Sequence, residues 1–234
     1  MALNSTRELD ELKQKLLRMA AHAETTVRLA IQALVDRDDA LALRVREEEA
    51  VLDQFEVQLD QQSIHLLTQA PAPADLRFIA VGMKISHDLE RVGDEATTIA
   101  GRARALNREP LLQPRVDIPR MANLALHMLT DAIASFLDRD PGLARAVIPR
   151  DKEVDALNKH LNRELANGMV ERPATITRAL HLIVIAKSLE RIADHATNIA
   201  EEVVYLCEGE DIRHPSERSS EPSPVPAAAG PHAE

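Results

Sequence analysis

Apolar residues recur at spacings of three and four along nearly the whole chain, the pattern of helices that bury one face. The first stretch shows this stripe most clearly, at Leu9, Leu12, Leu16, Met19, Ala23, Val27, Ala30, Ile31 and Leu34. Turn residues interrupt the pattern at five places, so the chain divides into six segments. The predicted helices span about 6–35, 40–67, 75–106, 120–137, 142–167 and 173–207.

Prolines, glycines and acidic residues mark the ends of these helices. The acidic run 36–39 supplies carboxylates that can cap the second helix. Pro149 lies inside the fifth helix and cannot donate to the carbonyl four residues back, so we expect a kink or a break there. Gly168 fits a C-terminal cap of that helix, and Pro173 fits the start of the sixth.

Three predicted helices lie on each side of a proline-rich segment, 109–119. We therefore expect an all-α fold of two tandem antiparallel three-helix bundles, the first at 1–108 and the second at 120–208. Residues 209–234 are rich in Pro, Ser, Ala and charge without periodicity, which predicts a disordered tail.

A twelve-residue sequence occurs twice. LERVGDEATTIA at 89–100 returns as LERIADHATNIA at 189–200, with eight of the twelve residues identical and no gap. Such a repeat predicts that the two bundles arose by internal duplication, and that the segment performs the same task in each.

Each copy places two carboxylates one helical turn apart, Glu90 with Asp94 and Glu190 with Asp194. Residues at i and i+4 lie about 6 Å apart on one helix face, close enough for two carboxylates to share a cation. Without a counter-charge, such a pair destabilises a helix by a few tenths of a kcal/mol. The repeated pair therefore predicts a cation site.

The second helix of each half carries a similar pair, Glu49 with Asp53 and Asp151 with Asp155. These pairs are 102 residues apart, against 100 for the main motif, a difference that one loop can absorb. If the helices pack together, each bundle presents four carboxylates. A multivalent hard cation is the simplest compensation, and oxygen ligands alone suit Mg, Mn, Ca or Fe.

The two copies are not equal beyond the motif. The face of Glu190 and Asp194 continues to Asn198 and Glu201, whereas the first copy continues to Thr98 and Gly101. More oxygen atoms in the second copy predict tighter metal binding there.

Other interpretations of these residues stay open. The carboxylates could be solvated, or paired with Arg91 and Arg191, and bind nothing. His87 and His195 lie beside the motifs and could ligate a borderline metal, although they occupy nonequivalent positions. The apolar residues between the carboxylates are predicted to belong to the core.

Composition narrows the function classes. A formal net charge of −10 makes nonspecific nucleic-acid binding improbable on electrostatic grounds, because that needs clustered Lys and Arg. The single Cys207 excludes an intramolecular disulfide and fits a reducing compartment. There is no signal-like N-terminus, and apolar runs fall far short of the roughly 20 residues of a membrane span. These features predict a soluble, cytoplasmic protein.

The run DLRFIAVGMKISHDLERVGDEA from Asp75, with its weaker copy KSLERIADHATNIAE from Lys187, resembles the PhoU family of bacterial phosphate-signalling proteins. The resemblance covers about residues 5–208. It implies pseudo-two-fold bundles, a homodimer, and clusters of Fe, Mn, Mg or Zn on the carboxylate surfaces. It also implies negative regulation of phosphate uptake and of the starvation response. The implied partners are the ATPase subunit of the phosphate ABC transporter and a membrane sensor histidine kinase, with the membrane reached only through them.

Three functions are consistent with the sequence. A nonenzymatic regulator is favoured because no GxxxxGK or HExxH motif occurs. A ferritin-like di-metal oxidase uses similar bundles, but it requires Glu-x-x-His motifs, and here no His follows a Glu by three. A metal-free structural adaptor is the third.

Overall fold

The structure, a computed structural model, describes residues 2–69, 72–112 and 117–213. Over these ranges the chain forms seven α-helices and no strand, so the all-α prediction is confirmed. The helices are α1 (Ala2–Val35), α2 (Asp39–Leu67), α3 (Pro73–Asn107), α4 (Ile118–Asp138), α5 (Pro141–Val147), α6 (Asp151–Glu171) and α7 (Ile176–Glu208).

The observed helix boundaries agree with most of the predicted caps and breaks, but not with all of them. Asp38 caps α2 by accepting a hydrogen bond from the amide of Ala40 at 2.7 Å. Pro149 breaks the predicted fifth helix into α5 and α6, which are joined by a 3-10 turn at Ile148–Arg150. The predicted cap at Gly168 is wrong, because α6 continues to Glu171. Pro173 sets the end instead, since the residue before a proline is pushed out of helical geometry.

Helices α1, α2 and α3 pack on one another, and α7 packs on α4, α5 and α6. The two motif helices α3 and α7 also pack against each other, and the buried apolar residues form one continuous core across both bundles. Lys84 of α3 faces Glu202 of α7, and Glu95 faces Arg191, so the two helices run antiparallel. The repeated segments therefore meet at the centre of the molecule.

The chain after α7 turns back onto the helices. Gly209 adopts a left-handed conformation, with φ of +74°, and ends the helix. Ile212 packs against the core, and Arg213 pairs with Glu202 at 2.7 Å. The first five residues of the predicted disordered tail are thus placed against the bundle. The rest of that prediction, for 214–234, lies outside the described residues, as do 113–116 of the connector.

Two glycines of α3 are expected to respond oppositely to alanine. A Cβ atom on Gly93 would lie 2.6 Å from Cδ1 of the buried Leu52, whereas nothing lies within 4 Å of one on Gly101. Gly101→Ala should stabilise the protein by about 0.5–1 kcal/mol through helix propensity. Gly93→Ala should instead destabilise it by about 1 kcal/mol, because overpacking outweighs that gain.

Urea denaturation of both variants measures this difference directly. Equal effects of the two substitutions would contradict the tight α2–α3 contact. Ala193, the counterpart of Gly93 in the second copy, shows that the repeat itself tolerates alanine where the facing helix allows it.

Candidate metal centres

The first candidate centre lies on the outer face of the contact between α2 and α3. Leu89 and Val92 are fully buried and fix the rotation of α3, so that Glu90 and Asp94 lie toward α2 and the surface. Burial raises the pKa of Glu49 on α2, and the negative charges of Asp53 and Asp94 raise it further. The four predicted carboxylates of the first copy are therefore close enough to act on one another.

Glu90 is the most enclosed group of this cluster. Its side chain is only 15% exposed, and its Oε2 atom is buried without a hydrogen-bond partner. Burial raises the pKa of this carboxyl, and Asp94 raises it further. Arg91 partly offsets these charges, since its Nη1 lies 3.1 Å from Asp94 Oδ2 and its Nε lies 3.4 Å from Glu90 Oε2. The predicted pairing with Arg91 thus exists, but it leaves Glu90 Oε2 unsatisfied.

The second centre has the same construction on α6 and α7. Burial raises the pKa of Asp151, as do the charges of Asp155 and Glu190. For Asp194, burial and then the charges of Glu190, Asp151 and Asp155 raise the pKa to about 6. The structure thus brings together all four predicted carboxylates of this copy.

A buried carboxylate oxygen without a partner occurs in this centre too, at Asp151 Oδ1. Lys187 forms an ion pair with Glu190, and Lys159 lies 3.6 Å from Asp155. Buried polar atoms normally have partners, so an unsatisfied oxygen within a group of four carboxylates fits a bound cation. Among the described residues, however, no three ligand atoms of either cluster of four carboxylates lie within 4.8 Å of one another, so sharing one ion would require these side chains to move closer together.

Three other residues singled out in the sequence lie at the junction of α3 and α7. Arg191 pairs with Glu95 at 3.0 Å and not with the carboxylates of its own motif. Asp88 Oδ1 receives the Asn198 amide at 3.2 Å and lies 2.8 Å from His195 Nδ1. Neither His195 nor Asn198 therefore extends the second centre through these contacts.

Glu201 lies near the C-terminal segment. A hydrogen bond to Asp211 raises the pKa of Arg213, and the charges of Glu202, Asp211 and Glu201 contribute in the same direction. The carboxylate of Glu201 thus acts on Arg213. Tighter metal binding by the second copy stays a prediction, because each copy clusters four carboxylates.

One residue of the first centre was missed from the sequence. Glu56 of α2 lies with its Oε1 atom 3.2 Å from Nδ1 of His87. A signal was present, because Glu49, Asp53 and Glu56 follow one another at i, i+4 and i+7 along one face of α2. Because the carboxylates of α2 were considered only as the pair Glu49 and Asp53, Glu56 was omitted.

None of the helices in the described ranges is long and apolar enough to cross a bilayer. Long helices with an acidic cluster in each half define an internally duplicated, all-helical protein. A family model described as the PhoU domain matches the chain twice, at 16–103 and 118–203, once in each bundle. The chain belongs to the PhoU family.

Relatives and solved structures agree with this assignment. The chain is 41% identical over 210 residues to the "Phosphate-specific transport system accessory protein PhoU homolog" of Pseudomonas putida, covering 88% of this chain and 82% of that protein. The homologue of the same name from Aquifex aeolicus is 40% identical over 209 residues, which is 89% of this chain and 95% of the relative.

Two crystal structures share the fold. That of PhoU from Pseudomonas aeruginosa superposes with a TM-score of 0.85 at 39% identity, covering 88% of this chain and 99% of that one. The phosphate transport system regulatory protein PhoU from Streptococcus pneumoniae gives a TM-score of 0.81 at 28% identity, covering 89% and 99%. The predicted family and fold are therefore confirmed.

Proposed function

We propose that this chain is a nonenzymatic regulator of phosphate transport, which represses phosphate uptake and phosphate-starvation signalling when phosphate is plentiful. The family assignment supports a transport-accessory role, since the relatives carry that name. The observation that favours a regulator with bound cations is the duplicated cluster of four carboxylates, in which each cluster contains one buried carboxylate oxygen without a hydrogen bond.

Divalent or trivalent metal ions, among them Fe, Mn, Mg or Zn, are the proposed occupants of the two centres. The ligands are the carboxylates Glu49, Asp53, Glu90, Asp94, Asp151, Asp155, Glu190 and Asp194. A bound ion would supply multivalent positive charge to each cluster. Burial raises the pKa values of Glu49, Glu90, Asp151 and Asp194, and the charges of neighbouring carboxylates raise them further, which supports a role for a compensating cation.

The proposed partners are the ATPase subunit of the phosphate ABC transporter and a membrane sensor histidine kinase. We further propose that the protein works in the cytoplasm as a homodimer and reaches the membrane only through these partners. Long, rigid helices with charged outer faces suit binding of other proteins, and the formal net charge of −10 disfavours nucleic acid as a partner.

Deletion of the gene tests the regulatory role. In phosphate-replete cells, loss of a repressor should raise both phosphate uptake and expression of the starvation-induced phosphatase. Complementation with the wild-type gene should restore repression, and Glu190→Ala/Asp194→Ala should restore it less well if the second centre takes part.

A matched control replaces two exposed carboxylates of α6, Glu153 and Glu164, by alanine. This variant changes the net charge equally, yet leaves both centres intact, so it should complement fully. Unchanged uptake and phosphatase expression in the deletion strain would refute the regulatory role.

A further inference from the structure

A second kind of ligand set adjoins the first centre. Glu56 of α2, His87 of α3 and Glu90 of α3 each place one ligand atom so that the three atoms lie within 4.8 Å of one another. His87 and Glu90 are three residues apart and therefore share a helix face, while Glu56 reaches them from the neighbouring helix. One imidazole nitrogen thus lies among carboxylate oxygens.

The three side chains differ in exposure in a way that suits a metal site. Glu90 provides a buried Oε2 without a hydrogen-bond partner, and Glu56 is 27% exposed. His87 is 58% exposed and lies at the rim. A simple ion pair between His87 and Glu56 accounts for two of these groups, whereas Glu90 Oε2 has only the Arg91 Nε atom at 3.4 Å and accepts no hydrogen bond.

The second copy has different residues at the positions that correspond to His87 and Glu56. Lys187 stands at the position of His87, and its ammonium group forms an ion pair with Glu190, the counterpart of Glu90. At the offset that relates Glu49 to Asp151, the counterpart of Glu56 is the buried Asn158. At the position of His87 the second copy therefore carries a permanent cation, whereas the first copy, whose permanent cation is the neighbouring Arg91, carries an imidazole, which can bind a metal ion when neutral.

We propose that Glu56, His87 and Glu90 bind a borderline divalent transition metal ion, with Zn²⁺ as the representative ion. Imidazole nitrogen is a good ligand for Zn, Fe and Ni, whereas Mg and Ca prefer oxygen. Three protein ligands leave further coordination positions for water, as in open zinc sites. The two halves of the chain then differ in metal selectivity. This inference rests on the proposed metal binding, through the shared Glu90, but not on a role in phosphate regulation.

An open groove gives such an ion access. It has a volume of about 530 Å³ and lies between α2, α3 and the end of α7. Glu56 and His87 line it together with Asp60, Asp88, Asn198 and the cations Lys84 and Arg213, which pair with Glu202. Ions can therefore enter from solvent without opening the core.

Zinc binding to the full-length, chelator-stripped protein tests the proposal. Competition against a chromophoric chelator at pH 7.5 should detect a zinc site. His87→Asn and Glu56→Gln should each weaken that site at least about tenfold, because loss of even an outer-sphere partner of a metal typically costs about 10–100-fold in affinity. Mg²⁺ binding, measured by calorimetry, should not change in His87→Asn. With Co²⁺ as the probe, the visible absorption of the wild-type complex should also change on loss of the nitrogen ligand.

His160→Asn is the matched control, because His160 also lies beside a carboxylate, 3.7 Å from Glu164, yet has no such third ligand. Zinc affinity should be unchanged in this variant. Circular dichroism confirms that each variant folds. Equal zinc affinity of wild type and His87→Asn would overturn the proposal and indicate a His87–Glu56 ion pair only. That result would not affect the deletion experiment on phosphate uptake, so failure of the site and failure of the proposed function can be told apart.

Discussion

Replacing both Lys84 and Arg213 by methionine is expected to lower the free energy of unfolding by about 3–5 kcal/mol, the usual cost of leaving a buried charge without its partners. Glu202 is the charge concerned. Its side chain is only 5% exposed, and Oε1 lies 2.9 Å from Lys84 Nζ and 2.7 Å from an Arg213 nitrogen. Methionine keeps much of the apolar contact of both side chains, so the loss reports the missing charge.

A third substitution, Glu202→Met, should restore most of the stability, because the buried carboxylate is then absent. Arg145→Met is the matched control: Arg145 also pairs with carboxylates, Glu208 and Glu210, but all three groups are exposed. Its cost should stay below about 1 kcal/mol. Urea denaturation measures all three variants. A loss below 1 kcal/mol in the double variant would show that the C-terminal segment does not hold Glu202.

Metal binding is expected to have the second large effect on the stability of the protein. Saturating Mn²⁺, at about 100 times its dissociation constant, should stabilise the stripped protein at pH 7.5 by about 2.7 kcal/mol per site. For a chain of this length that corresponds to a rise in Tm of roughly 5–10 °C per site. The gain should shrink below pH 6, because Asp194, with a pKa of about 6, then takes up a proton that competes with the ion.

Without metal the pH dependence has the opposite sense. The folded Asp194 keeps its proton between its ordinary pKa of 3.8 and about 6, whereas the unfolded chain has lost it. Its contribution to stability is therefore most favourable near pH 4 and declines as the pH rises through 6. Asp194→Asn should reduce this decline, since the raised pKa values of Glu49, Glu90 and Asp151 contribute in the same sense, and it should also reduce the gain from Mn²⁺.

Differential scanning calorimetry of the stripped protein across pH 4–8, with and without Mn²⁺, measures both effects. Glu153→Gln is the control, because it removes an exposed carboxylate of α6 that pairs with Arg120. An equal response of Asp194→Asn and Glu153→Gln would contradict a metal centre at Asp194.

Most of the fold was predictable from local signals. The apolar stripes and the capping residues locate each helix to within a few residues, and Pro149 marks the break between α5 and α6. The prediction of a helix cap at Gly168 was wrong because a glycine can lie inside a helix at a cost of only about 1 kcal/mol, which tertiary packing outweighs. The conformation of 209–213 was not predictable, since it depends on Arg213 reaching a carboxylate that only the packed α7 presents.

The residues of the candidate site that are repeated in both halves of the chain were predictable, and those that are not repeated were not. The repeat identified Glu90, Asp94, Glu190 and Asp194, and the structure places each pair beside the carboxylates expected from α2 or α6. The rotation of α7 against α3 is a property of the packed bundles, so the contact of Asn198 with Asp88 could not be read from spacing along one helix. Glu56 breaks the repeat, because its counterpart is Asn158, and it was missed for that reason.

Metal content tests the central claim most directly. The full-length protein, purified without chelator, and its Glu190→Ala/Asp194→Ala variant are compared by elemental analysis of matched samples. The account predicts bound metal in the wild-type protein and substantially less in the variant, which keeps only the first centre. The same content in both proteins, near zero, would contradict the claim that the repeated carboxylate pairs hold metal.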